Sequence, residues 1–143
     1  MKDNQIAREL LEKEKLALAI VKDGKVIFSS RDKGIKPLYT AFKTQKNELK
    51  GSSVADRVTG RAAAMLCAYA EIKQLKTILI SDNAISVLNG TSILYEYDEH
   101  APYIKNRDKT RLCPIEALSL KLNNIDELLK GIEAFLDNIQ TVN

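Results

Sequence analysis

The run from Leu16 to Ser30, LALAIVKDGKVIFSS, constrains the fold of this chain more than any other stretch. Leu16 to Val21 is continuously apolar, which suits a strand buried on both of its faces. Asp23-Gly24 follows, the strongest short signal for a tight hairpin turn, and Lys25 to Ser30 returns as a second strand. An antiparallel hairpin with one doubly covered strand needs packing on both sides of its sheet.

The remaining elements supply that packing. Asp3 to Glu14 carries Ile6, Leu10 and Leu11 on the narrow stripe of a short amphipathic helix. Arg31 to Gly51 is polar and basic, with one helical turn after Pro37, and is long enough to be a candidate functional loop. Ser52 or Ser53 then caps a long helix reaching about Ile72. Leu75 to Ile80 reads as a strand, Ser81-Asp82-Asn83 as helix-capping residues, and Ala84 to Leu88 as a short helix ended by Asn89-Gly90. Ser92 to Tyr97 is another strand, and Asp98 to Leu112 a polar loop. Cys113-Pro114 opens a helix to about Leu122, and a last amphipathic helix runs from Ile125 to Ile139. No repeat or linker interrupts this order. It predicts one α/β domain over residues 1–143, with its core in about 5–122, built as a three-layer sandwich around a mixed sheet of four to five strands.

Composition narrows the function classes. With 45% hydrophobic and 29% charged residues the chain is neither disordered nor low-complexity. No apolar run approaches the ~18–20 residues of a membrane span, and the charged start is no signal peptide, so a cytoplasmic protein without membrane contact is expected. Two cysteines and one histidine exclude zinc frameworks of four cysteines or of paired cysteines and histidines, and no cofactor is called for. The net charge of +3 is unevenly spread: Arg31–Lys50 is locally +4, Tyr103–Arg111 is +3, and the tail after Asn123 is −3. Few aromatics and no Trp speak against nucleic acid. The two basic segments fit an anionic small molecule, or a merely solvated surface. A second copy of the chain stays open as a partner.

Three places carry candidate chemistry. In the expected long helix, Asp56, Thr59, Gly60, Ala63 and Cys67 fall on one face. Asp56 is there either the acid of a capping box with Ser53 or, with Arg57 and Arg61, part of an anion-reading cluster at a cleft mouth. Ser81-Asp82-Asn83 sets a helix N-terminus at the carboxyl end of a strand, where α/β sheets bind ligands, although plain capping by Asp82 or Asn83 accounts for it equally. Cys113 falls at a helix N-cap before Pro114, with Arg107, Lys109 and Arg111 just upstream. It is either a nucleophile with a lowered pKa or a small buried hydrophobe. Glu116 reads as the capping acid of that same helix, Cys67 as core, and His100 as a surface histidine in a loop.

The segments DGKVIFSSRDKGIKPL, ADRVTGRAAAMLCAYA, SDNAIS and NRDKTRLCPIEAL together resemble an uncharacterised bacterial domain-of-unknown-function family whose members look like the cytidine-deaminase fold. The resemblance covers roughly residues 5 to 122. It implies that Asp56, Arg57, Gly60, Arg61, Ser81, Ser86, Asn106, Arg107, Cys113 and Glu116 gather around one pocket. It also implies a departure from zinc chemistry. Zinc deaminases place His/Cys-Ala-Glu at the start of the long helix and Pro-Cys-x-x-Cys at the next strand–helix junction. The matching stretches are expected to be Val54-Ala55-Asp56 and Asp82–Ser86, which offer no thiolate or imidazole. A fifth strand, usual after the last helix of deaminases, is not evident after Leu122.

Two main readings follow. One is a zinc-free deaminase-like enzyme acting on a nucleotide-like or phosphorylated small molecule, with Cys113 as nucleophile and Asp56 as acid/base. The other is a binding or sensing module that keeps the cleft without turnover. A protein-interaction domain using the acidic C-terminal helices is the further alternative.

Overall fold

The computed structural model describes residues 2–105 and 112–142. Its chain order is α1 (Asp3–Lys13), β1 (Leu18–Lys22), β2 (Lys25–Ser30), α2 (Lys36–Leu49), β3 (Ser53–Thr59), α3 (Arg61–Ala70), β4 (Gln74–Ser81), α4 (Asp82–Asn89), β5 (Leu94–Ala101), α5 (Pro114–Ser119) and α6 (Ile125–Val142). The expected hairpin is present: β1 and β2 pair antiparallel, Leu18 opposite Ser30 and Lys22 opposite Lys25. Asp23 and Gly24 both take positive φ, as a two-residue turn of matching twist requires. Asp3 of α1 holds the turn by accepting the N–H groups of Asp23 and Gly24 at 2.9 and 2.8 Å.

β1 is buried on both faces, as its composition predicts. Leu18 and Ile20 enter the large core with Val54, Leu66 and Leu75, while Ala19 and Val21 meet Ala7 and Leu11 of α1 across the sheet. Each such leucine or isoleucine side chain contributes roughly 1.5–3 kcal/mol by leaving water. The sheet order is β2-β1-β3-β4-β5, with β1 antiparallel to both neighbours and β3, β4 and β5 parallel. The result is an α/β fold with a five-stranded mixed open sheet, α1 on one face and the large helical core on the other.

The expected long helix from Ser52 to Ile72 is a strand followed by a helix. SVADRVT has three β-branched residues, and its Val54 and Ala55 enter separate apolar clusters, so Ser53–Thr59 pairs between β1 and β4. Gly51 turns the chain into it at φ +78°, and Gly60 closes it in extended geometry as the N-cap of α3. This is the fifth strand, and it precedes the helix instead of following Leu122. The shared helical face of Asp56, Thr59, Gly60, Ala63 and Cys67 therefore does not exist. Likewise Val54-Ala55-Asp56 lies inside β3, and the helix start reads Gly60-Arg61-Ala62.

Three further expectations are corrected. Most of the Arg31–Gly51 segment is α2, kinked at Gln45, which leaves only its first residues as loop. His100 lies within β5, not in a loop, and its Nδ1 is 3.0 Å from Asp82. The cap of α4 is Ser81, whose hydroxyl accepts the Ala84 N–H at 3.0 Å, so neither Asp82 nor Asn83 serves.

Candidate functional site

A cleft of about 760 Å³ opens at the carboxyl end of β3. Its walls come from the 32–38 segment, the β3–α3 junction, Ile104–Lys105, the start of α5, and Phe135 and Leu136 of α6. Six of the residues singled out from the sequence line it: Asp56, Arg57, Gly60, Arg61, Cys113 and Glu116. Tertiary folding thus joins residues up to sixty positions apart, although only Asp56 and Glu116 turn out to be placed as polar groups with well-defined partners inside it.

Asp56 sits opposite Leu18 of β1 and Thr77 of β4 in the sheet ladders. Burial drives its carboxyl pKa up to about 7, against the opposing hydrogen bonds from the Thr59 hydroxyl and the main-chain N–H groups of Arg57 and Val58. A carboxyl of that kind exchanges its proton near neutral pH, as a general acid or base must.

Glu116 does not cap its own helix. Its Oε1 accepts the Arg61 N–H at 2.8 Å and the Ser81 hydroxyl at 3.3 Å, and its Oε2 accepts the Ile104 N–H at 2.5 Å. The carboxylate therefore caps α3 from outside, because Gly60 has no side chain to do it. A Cβ at Gly60 would lie 3.3 Å from Glu116 Oε1 and from Ile104 Cγ1, so the glycine makes room for the carboxylate.

The two arginines are engaged elsewhere. Arg57 donates from Nε to the Leu16 carbonyl at 2.6 Å and from Nη2 to the Leu11 carbonyl at 2.9 Å, closing the carboxyl end of α1. Arg61 donates from Nη1 to the Ser119 carbonyl and, at 2.8 Å, to the Leu122 carbonyl, and from Nη2 to Asn123. Their positive charge suits the carbonyl ends of α1 and α5. Among the described residues, the cations left at the cleft rim are Lys33, Lys36 and Lys105, all exposed. Among the described residues no carboxylate lies within ion-pair distance of these three.

Cys113 is a free, half-buried thiol at the N-cap of α5, and its main-chain N–H donates to the Ile104 carbonyl at 2.8 Å. Cys67 is buried, and its thiol pKa is pushed up first by that burial and then by Asp56. Ser81 reaches the cleft only through Glu116. Ser86 is exposed on α4, where its hydroxyl donates to the Asp82 carbonyl, away from the cleft. Asn106 and Arg107 lie outside the described residues, as do Lys109 and Arg111.

Thr59 and Thr77 are two fully buried hydroxyls behind Asp56; the sequence singled out Thr59 only as a small residue on a helical face and did not point to Thr77. A β-branched Val-Thr pair before Gly60 was the available signal for a strand end there. Lys33, Lys36 and Lys105 lay within the two basic segments without standing out individually. Among the described residues no group of three or more His, Cys, Asp or Glu side chains converges to hold a metal ion. Nor is any helix there long and apolar enough to cross a membrane.

Fold and site together define an α/β protein with a mixed open sheet and a single-chain cleft floored by a carboxyl that titrates near neutrality. Residues 6–136 match the TM1506 family, described as a domain of unknown function, DUF1893, and the chain belongs to that family. It is similar to the crystal structure of a DUF1893 family protein, TM1506, from Thermotoga maritima. The two share 31% identity over 88% of this chain and 84% of that one, with a TM-score of 0.80. No curated protein matches.

Proposed function

We propose that the cleft binds a nucleotide-like or phosphorylated small molecule in a zinc-free, cytidine-deaminase-like domain of the cytoplasm, and that Asp56 and Cys113 act on it. The observation that carries this reading is the meeting of a carboxyl with a pKa of about 7, a half-buried thiol and three rim lysines around one cleft of about 760 Å³. Lys33, Lys36 and Lys105 take the anionic group, a role the sequence gives to Arg57, Arg61 and Arg107, the last of which lies outside the described residues. Ile35, Leu38, Ile104 and Phe135 offer an apolar wall to the rest of the ligand. The start of α3, where a zinc deaminase carries its His/Cys-Ala-Glu, reads Gly60-Arg61-Ala62, and its first N–H is already held by Glu116.

One observation favours binding without turnover. Among the described residues no base hydrogen-bonds the Cys113 thiol, whereas an activated nucleophile ordinarily has one. The protein-interaction reading has less behind it, since α6 buries Leu128 and Ile132 in the core and lends Phe135 and Leu136 to the cleft wall.

A thermal-shift screen of nucleotides, nucleosides and sugar phosphates tests the reading. Ligand at about 100 times Kd adds ~2.7 kcal/mol of stability. Charge reversal at Lys36 and Lys105 is expected to abolish the shift given by phosphorylated compounds. Stabilisation that survives Cys113→Ala without product formation selects the binding module. Product formation lost in Cys113→Ala selects the enzyme, and no stabilisation by any compound refutes both.

A further inference from the structure

We infer that Thr59 and Thr77 are positioning residues that link Asp56 to the Leu79 carbonyl in a reversible hydrogen-bond chain, through which the cleft carboxyl can take up and release a proton without leaving a buried group unpaired. The inference rests on the reading of the cleft as a ligand site.

The chain is continuous. Thr59 Oγ1 lies 3.0 Å from Asp56 Oδ2 and 2.9 Å from Thr77 Oγ1, and Thr77 Oγ1 lies 3.3 Å from the Leu79 carbonyl oxygen. Both threonines are fully buried, so neither hydroxyl can turn to bulk water for a partner. A hydroxyl carries one proton and two lone pairs, and each therefore donates in only one direction at a time.

Two arrangements satisfy every member. With Asp56 ionised, Thr77 donates to Thr59 and Thr59 donates to the carboxylate. With Asp56 protonated, the carboxyl donates to Thr59, Thr59 to Thr77, and Thr77 to the Leu79 carbonyl. One proton enters or leaves at Asp56. The two hydroxyl protons only rotate, and none is passed on to Leu79. The main-chain N–H groups of Arg57, which donates to the Ala17 carbonyl at 3.3 Å, and of Val58 also act on the carboxyl, and they can only donate. Of these three partners, the Thr59 hydroxyl alone can change from donor to acceptor.

The surroundings leave this chain in control. Leu18 across the β1–β3 ladder is apolar, and the Arg57 guanidinium is tied to the end of α1. Cys67 and Arg61 come from α3, Cys113 and Glu116 from the α5 segment, Asp32, Lys33 and Lys36 from the entrance to α2, and Lys105 from the segment after β5. None of these charged or titratable groups is a cause of the Asp56 shift, which burial raises and the hydrogen bonds oppose.

The chain predicts shifts of opposite sign from its two hydroxyls. Thr77→Val strands the Thr59 proton when Asp56 is neutral, and so lowers the Asp56 midpoint. Thr59→Val removes a donor from the carboxylate, a stronger loss than that of an acceptor from the neutral acid, and so raises it. The experiment follows the Asp56 ¹³Cγ resonance against pH in the full-length, ligand-free protein, assigned with Asp56→Asn. Displacements of roughly half to one pH unit are expected, downward for Thr77→Val and upward for Thr59→Val, with Thr77→Ser and Thr59→Ser close to wild type. Thr77→Ala and Thr59→Ala carry the same signs and serve where a valine variant does not fold. Shifts in one common direction, or an unmoved midpoint in the Thr77 variants, overturn the chain. Because no ligand is present, that failure is separate from a failure of phosphorylated compounds to bind.

Discussion

Glu116→Ala is the substitution whose effect the structure specifies most closely. The side chain is 2% exposed and its carboxylate accepts three hydrogen bonds from three segments: the start of α3, the end of β4 and the strand exit at Ile104. Truncation leaves the Arg61 and Ile104 N–H groups without their acceptor, at about 1–3 kcal/mol each, and takes the acceptor from the Ser81 hydroxyl proton, although that oxygen still accepts from Ala84. Losing the external cap of α3 is contained in the Arg61 figure, so the total is about 3 kcal/mol. For a domain of this length that is a fall in Tm of about 10 °C. Glu116→Gln keeps the volume and one carbonyl oxygen but sets an amide NH2 against an N–H donor, and about half the loss is expected. Urea unfolding followed by far-UV circular dichroism at neutral pH measures both, with an unchanged m-value confirming that folding remains two-state. If Glu116→Ala unfolds within about 0.5 kcal/mol of wild type, the three bonds are not holding these segments together.

Asp56 ties stability to pH in a defined direction. Its folded pKa of about 7 lies above the ordinary carboxyl value of 3.8, so its contribution is full below pH of about 4 and is lost as pH rises through about 7. Asp56→Asn is therefore expected to be more stable than wild type by about 4 kcal/mol near pH 8 and to lose that advantage near pH 4, and a constant difference across this range would contradict the shift. Gly131 of α6 packs so closely that a Cβ would lie 2.7 Å from Leu118 Cδ2. Gly131→Ala is expected to realise its helix gain of about 1 kcal/mol only in a Leu118→Ala background, and equal effects in both backgrounds would remove the contact from consideration. Asp3→Ala deprives both turn N–H groups of the hairpin of their acceptor, with an expected loss of about 1 kcal/mol in urea unfolding, and an unmoved midpoint would show that Asp3 does not hold the turn.

The site was legible in part. Asp56, Gly60, Arg61, Cys113 and Glu116 do meet around one cleft, but Asp56 and Gly60 do not share the helical face that their spacing suggests. They come together because a strand ends where a helix begins. The arginines illustrate a different limit. A guanidinium near a helix start looks like an anion receptor in a sequence, yet Arg57 and Arg61 donate to the Leu11 carbonyl near the end of α1 and the Ser119 carbonyl at the end of α5, which no local pattern reveals. Nothing in the spacing of Glu116 distinguishes capping its own helix from capping α3, more than fifty residues earlier in the chain.

What the sequence determined by itself was everything set by neighbours along the chain. The hairpin follows from an Asp-Gly pair able to adopt positive φ, and the double burial of β1 follows from a run without polar residues. The helices of residues 3–13 and 125–142 follow from their apolar stripes. Tertiary structure decided β3, because SVADRVT becomes a strand only when β1 and β4 supply ladders on both sides. It also decided the character of Asp56. A carboxyl acquires a pKa of about 7 only when the folded chain takes water away from it, and here that depends on α3, the entrance to α2 and the two threonines closing around the end of one strand.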